Sequence, residues 1–351
     1  MLKKTKLFAL AATAAFAIGA TAGVAMAADL TIASWGGSYQ AAQSKAIFQP
    51  VAKKLGITIK EESYGGISDV RLQVKAGAVT LDIIDTGSGG GARGGVEGIL
   101  EPLDYNMIDV SNFVEGTHLP ACVGTITFST VFAYNTDTYK DGGPKSWADF
   151  FDTKKFPGKR AYRAKYHGAL EPALLADGVP MNEVYKVLDS EEGIDRAIDK
   201  IHSIKDDVAI WWKSGAQHAQ LMKDGEVDMT TGWNGRFDVA IKDGAKAAYN
   251  YNAALLDYDC FGIPKGAPNK ELAMKFLAEA SKPEYQANMP KYITYGPTDK
   301  RAYEMGVIDD AVAKTLPSHP HNAETQLVVD NTWYAKWEKV ASEKYQEMLT
   351  E

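Results

Sequence analysis

Apolar and polar positions divide the chain into a leader and a run of alternating strands and helices. Lys3, Lys4 and Lys6 precede an apolar run from Leu7 to Ala22, and Ala25-Met26-Ala27 puts small residues at the two positions a signal peptidase reads. The run is shorter than the roughly 18 residues a membrane span needs. Residues 1–27 therefore read as a cleaved export signal, with a retained anchor as the alternative. No cysteine stands at the cleavage point to carry a lipid.

Beyond the leader, Leu30-Thr31-Ile32-Ala33 reads as a short strand ending in Ser34-Trp35-Gly36-Gly37-Ser38-Tyr39. A helix through Phe48 follows, stopped by Pro50. Ile57 to Lys60 forms the next strand, Gly65-Gly66 a turn and Asp69 to Ala76 a helix. Leu81 to Ile84 is a buried strand ending in Thr86-Gly87-Ser88-Gly89-Gly90-Gly91. Strands separated by helices at this pitch imply a largely parallel sheet, and such sheets hold ligands at the carboxyl ends of their strands. Both glycine-rich stretches fall at those ends as loops. Neither matches a dinucleotide or phosphate-loop pattern, which leaves close backbone approach to a small ligand or plain tight turning.

From Val123 to Asn135 β-branched and aromatic residues make a long strand able to carry the chain out of a first lobe. Ser146 caps a helix through Phe150, and further helices fall around 171–177, 181–188 and 191–203. Ser214-Gly215-Ala216-Gln217 opens another as a capping box. Val227 to Thr231 is a strand leading into Gly232-Trp233-Asn234-Gly235-Arg236, and Tyr258 to Pro264 is a second strand with crossover potential. A helix from Asn269 to Ala280 and an amphipathic tail carrying Trp333 and Trp337 complete the pattern.

Removing a 27-residue leader from 351 residues leaves 324, more than one core usually supports, so two lobes are expected. The formal charge of −7 becomes −10 without the three leader lysines. That balance argues against nucleic acid, whose phosphates need a basic face, and is compatible with a cationic or mixed-charge small ligand. Only Cys122 and Cys260 remain after export. In an oxidising compartment, and outside C-x-x-C spacing, they read as a disulfide rather than a metal or redox site. It would close a loop of well over a hundred residues, worth roughly 4–5 kcal/mol by chain entropy.

Several segments now bear on identity: Trp35-Gly36-Gly37-Ser38-Tyr39, Leu81-Asp82-Ile83-Ile84, Gly98-Ile99-Leu100-Glu101-Pro102-Leu103 and Ser146-Trp147-Ala148-Asp149-Phe150. Phe156-Pro157-Gly158-Lys159-Arg160, Trp233-Asn234-Gly235-Arg236 and Ile263-Pro264-Lys265-Gly266 continue the series. Their order over nearly the whole mature chain resembles the extracellular solute-binding proteins of ABC transporters, in the spermidine/putrescine-binding branch. The resemblance implies an α/β, two-lobed periplasmic binding protein of type II that closes on its ligand about two crossing hinge strands. The crossings would fall near Phe128–Asn135 and Asp259–Pro264. Lobe one would comprise residues 28–132 plus 261–300, and lobe two 133–260 plus 301–351 with the C-terminal helices. Both cysteines would then flank the hinge. The resemblance further implies a monomeric, non-enzymatic periplasmic protein that serves an inner-membrane permease and carries no resident cofactor or metal.

Polyamine-binding members are similar in holding ammonium groups with aromatic walls and carboxylates. The matching aromatic positions are Trp35, Tyr39 and Trp233, which serve either as pocket walls or as core area. Arg236 and Asp259 carry the choice of ligand. If both line the cleft, they offer a fixed cation for a carboxylate and a fixed anion for an ammonium, and the expected ligand is a zwitterion such as the ω-amino acid 4-aminobutyrate. If Arg236 pairs internally with Asp228, Asp238 or Glu171, the pocket is acidic and a polyamine, putrescine or spermidine, is expected instead. Tyr166-His167-Gly168-Ala169-Leu170-Glu171 departs in spacing from the acidic segment of the polyamine binders. Glu171 and Asp85 are candidates for amine contact, Ser38 and Ser88 for hydrogen bonding from lobe one, and Ser214 or its helix N-terminus for an anionic group.

Two other classes fit less well. A secreted enzyme lacks support, because there is no G-x-S-x-G or H-E-x-x-H and the six histidines are scattered. His319-Pro320-His321 reads as a solvated turn rather than a metal site. A ferric-ion-binding relative resembles a pattern of adjacent tyrosines near the crossover, whereas Tyr249 and Tyr251 are not adjacent.

Overall fold

The computed structural model describes residues 29–140 and 142–351; the expected export signal at 1–27 lies outside them. Eleven strands occur among the described residues: β1 (Leu30–Ser34), β2 (Ile59–Ser63), β3 (Ile83–Gly87), β4 (His118–Leu119), β5 (Cys122–Asn135), β6 (Arg160–Arg163), β7 (Val208–Trp212), β8 (Met229–Trp233), β9 (Ala247–Tyr249), β10 (Leu255–Gly262) and β11 (Leu327–Val328). They join in one sheet of order β2-β1-β3-β10-β5-β8-β6-β7, with β4 and β9 beside β5 and β11 beside β10.

The topology divides that sheet into two parallel groups. β1 runs parallel to β2 and β3, and β6 runs parallel to β7 and β8. Between them β10 is antiparallel to β3 and β5, and β5 is antiparallel to β8. The first part of β5 pairs with β10, while its later residues Thr130–Tyr134 pair with β8. β5 and β10 therefore cross from one group to the other side by side. This is the two-lobed α/β architecture that the resemblance implies.

Each group has its own core. Leu30, Ile32, Phe48, Ile83, Phe261 and Phe276 fill the first, and Phe132, Phe150, Tyr162, Leu170 and Ile194 the second. Each such side chain, fully buried, contributes roughly 1.5–3 kcal/mol. The 20-residue helix Asn331–Thr350 adds Trp333, Tyr334, Tyr345 and Met348 to the second core. The disulfide joins Cys122 at the start of β5 to Cys260 in β10, 138 residues later.

Local signals place several elements as expected. Ser146 Oγ accepts from Asp149 N and Ser214 Oγ from Gln217 N, each capping its helix. Three local readings fail. Pro50 does not stop the first helix, which passes through a π-helical segment, Ser44–Phe48, into Gln49–Leu55. The proline falls in the first turn of that last segment, where a missing N–H costs little. Ser88 to Gly91 is not a loop but the start of a helix, Ser88–Val96. Its glycines serve close packing: a Cβ on Gly91 would stand 2.7 Å from Cys260 Sγ and 2.8 Å from Cys122 Sγ. Finally, β6 and β7 are strands that the sequence pattern does not predict, being short and rich in arginine and tryptophan.

Candidate functional site

The carboxyl ends of both parallel groups converge on one cleft. β1 delivers Ser34 and Trp35, and β3 delivers Gly87 and Ser88; opposite them β6 ends in Arg163, β7 in Trp212 and β8 in Trp233. The crossing strands supply Asp257 and Asp259, two residues apart in β10 and so on one side of it. Gly36 and Gly37 adopt φ of 68° and 61°, a left-handed backbone that suits glycine. That turn presses against Arg236. A Cβ on Gly37 would lie 2.8 Å from Arg236 Nη1, and Arg236 Nη2 stands 3.4 Å from the Gly36 carbonyl. The turn after β1 and the helix after β8 touch there. Beside Arg236 lies a recess of about 170 Å³, lined by Ser38, Gly215, Val239 and Asp243 among others.

Arg236 is 5 % exposed and lies 6.0 Å from the Trp233 ring centroid. No described carboxylate pairs with it. Asp228 accepts instead from Thr138 Oγ1 and Lys159 N, Asp238 from Tyr249 Oη, and Glu171 from two tyrosine hydroxyls. Asp259, 8 % exposed, likewise has no described basic group within ion-pairing distance. Burial pushes its carboxyl up to about 7, the charge of Asp257 adds to the rise, and hydrogen bonding from Tyr39 opposes it. Asp85 is fully buried, and burial followed by the charge of Asp259 holds its carboxyl well above the usual range. Its Oδ1 has no hydrogen-bond partner. Asp257, held by Ser88 Oγ at 2.5 Å, is raised by burial to about 6. The cleft thus sets fixed cations against carboxylates that no described cation neutralises at contact distance.

Trp35, Ser38, Tyr39, Trp233, Arg236 and Asp259 all gather around this cleft. Trp35 is 36 % exposed beside Tyr64. Tyr39 is buried with its ring edge-on to Tyr295, and burial with the charges of Asp85 and Asp259 raises its phenol well above the usual range. Ser88 is fully buried and its hydroxyl is committed to Asp257 and Asn331, so it positions the acid. Ser214 is exposed with its hydroxyl spent on its helix cap, while the adjacent Gly215 packs against Arg236 and Trp233. Glu171 departs from the expected amine contact. It is 0 % exposed, its Oε1 accepts from Tyr185 and Tyr334, and burial raises its pKa. Two phenols and the second core have taken the place a ligand ammonium was expected to fill.

Arg163, Asp257 and His218 were not anticipated. Arg163 ends β6 with its guanidinium carbon 5.5 Å from the Trp212 ring and 5.0 Å from the Trp233 ring. His218 is fully buried among Trp212, Trp233 and Phe237, and burial with the charges of Arg236 and Arg163 holds it well below its usual range, hence neutral. The signal that could have found Arg163 was its place at a strand end. Reading Arg160-Ala161-Tyr162-Arg163 as a strand was the missing step.

Known proteins resemble this chain in sequence and in fold. The sequence pattern of bacterial extracellular solute-binding proteins matches residues 46–318. The chain is 38% identical over 303 residues to the gamma-aminobutyric acid-binding protein of Pseudomonas aeruginosa, covering 86% of this chain and 85% of the relative. It superposes on the binding protein MotA of A. tumefaciens B6 in complex with glucopine with a TM-score of 0.89 and 43% identity, over 91% of this chain and 99% of that one. With the Atu4243-GABA receptor the TM-score is 0.81 at 33% identity, over 91% and 97% of the two chains.

Proposed function

The chain belongs to the bacterial extracellular solute-binding protein family, and from that premise we propose that its cleft captures a small solute bearing an ammonium group and a carboxylate, of the ω-amino acid class that includes 4-aminobutyrate. The observation that carries this reading is the pairing of Arg236 and Asp259 across one cleft, both nearly buried and neither neutralised by a described protein partner. An arginine fork takes a carboxylate bidentately, and Asp259 takes the ammonium against the aromatic walls of Trp233 and Tyr39. A bare polyamine leaves Arg236 buried opposite a second cation, which costs several kcal/mol. The likeness to a 4-aminobutyrate-binding relative supports the same choice.

On this reading residues 1–27 direct export to the periplasm, and the protein acts as a monomer that delivers its solute to an ABC permease in the inner membrane. Lobe one comprises 28–132 plus 261–300 and lobe two 133–260 plus 301–351, hinged at β5 and β10. The cleft performs no chemical step; it binds, closes and releases.

A thermal-shift series tests the ligand class. A solute at a hundred times its Kd stabilises the protein by roughly 2.7 kcal/mol, so 4-aminobutyrate and its chain-length homologues should raise Tm while putrescine and spermidine should not. Stabilisation by putrescine without response to any carboxylate-bearing amine refutes the reading.

A further inference from the structure

The cleft holds a second arginine that a single ligand carboxylate does not account for. Arg163 stands at the end of β6 beside Trp212 and Trp233, and its Nη1 donates to the His167 carbonyl at 2.5 Å. Its remaining guanidinium nitrogens make no hydrogen bond to a described residue, and they are not among the buried polar atoms sealed from solvent without a partner. They therefore keep some exposure to solvent. No described carboxylate lies within ion-pairing distance. Glu171 is occupied by Tyr185 and Tyr334, and Asp257 by Ser88 and its own chain.

Arg163 and Arg236 are also neighbours. Both guanidiniums lie within 6.0 Å of the Trp233 ring centroid, both charges act on His218, and both act on Asp259. The charges of Asp257, Glu171 and Asp259 act on this pair of cations from beyond contact distance, and the guanidinium N–H groups left without an acceptor among the described residues are suited to take carboxylate oxygens directly. An amino monocarboxylate supplies one carboxylate.

We propose that the preferred solute carries two carboxylates flanking an amine, an N-carboxyalkyl amino acid in chemical class, with Arg236 and Arg163 each receiving one carboxylate and Asp259 the ammonium between them. This rests on the reading that Arg236 and Asp259 front the ligand, and extends it from one anionic group to two. Arg163 is then the residue that separates amino dicarboxylates from amino monocarboxylates.

The test is calorimetric titration of the wild-type protein and Arg163→Gln with amino monocarboxylates, 4-aminobutyrate among them, and with the N-carboxymethyl derivatives of the same compounds. Wild type should bind the dicarboxylates about 10- to 100-fold more tightly, the range for a charge-assisted hydrogen-bonded pair. Arg163→Gln should lose that advantage, the ratio of affinities for the two classes falling to near one. Equal weakening of both classes overturns the proposal, because Arg163 then helps clamp a single carboxylate, and so does wild-type preference for the monocarboxylates. The wild-type comparison decides alone if the variant does not fold. Putrescine runs in parallel: its binding with silence from both carboxylate classes is the distinct failure of the underlying zwitterion reading.

Discussion

The disulfide offers a prediction whose size follows from the chain's path. Cys122 opens β5 and Cys260 sits in β10, so the closed loop of 138 residues holds almost everything between the two crossings. In the chain-entropy account, tying the ends of such a loop removes denatured-state freedom worth about 5 kcal/mol at 25 °C. Replacing both cysteines with alanine also removes sulfurs on which Gly91 rests, since a Cβ there would come within 2.7 Å of one of them, and the cavity adds about 1 kcal/mol. Cys122→Ala with Cys260→Ala should therefore lower the unfolding free energy by about 4–6 kcal/mol, measured by urea unfolding at neutral pH. Solute affinity should be nearly unchanged, because the ladder from Asp259 to Gly87 and Ile126 does not depend on the bridge. Reductant should bring the wild type toward the variant and leave the variant where it is. A loss below about 1 kcal/mol, or an equal response of the variant to reductant, shows that the bridge does not constrain the unfolded chain in this way.

Asp259 governs the response to pH. Burial pushes its carboxyl up to about 7, yet an ammonium ligand needs it ionised, so binding below that value expels a proton. Affinity should fall by up to about tenfold per pH unit as pH drops below 7 and level off above it, and Asp259→Asn should abolish both the binding and the slope in calorimetry; a flat wild-type profile between pH 5 and 7 refutes the assignment. Without ligand the sign reverses. A carboxyl raised above its unfolded value of 3.8 stabilises the fold below about pH 4 relative to higher pH, and that contribution is lost as pH rises through 7. Arg236→Met should weaken carboxylate solutes by about 1.5–3 kcal/mol, and unchanged titration curves would remove it from the site. Gly215→Val should displace Arg236 and Trp233, which even a Cβ at position 215 would overlap, and lower affinity in the same titration without loss of secondary structure by circular dichroism. Ser146→Ala should cost about 1 kcal/mol in urea unfolding through loss of the Asp149 N–H acceptor.

Much of what depends on a few neighbouring residues was legible in the sequence, the passage of the first helix through Pro50, the helix start at Ser88 and the short strands β6 and β7 being the exceptions. Alternating strands and helices announced a parallel α/β layout, the Val123–Asn135 run announced a crossing strand, and Ser146 and Ser214 announced their helix starts. Trp35 and Trp233 at strand ends, and Arg236 in the first turn of the helix after β8, come to the cleft because that end of a parallel sheet is where side chains from separate strands meet. Which charges stay free was decided only by the tertiary structure. Ser88 is committed to Asp257 across 169 residues, and Tyr334 takes up Glu171 across 163. Arg163 meets no carboxylate at contact distance among the described residues and donates to the His167 carbonyl, whereas Arg160, at the other end of the same strand, is fully buried and donates to the Phe150 and Phe156 carbonyls. A residue's type and local pattern set where its backbone goes. Whether its charge is met by the protein or left for a solute depends on groups brought near it by the fold, and that pairing has no local signature.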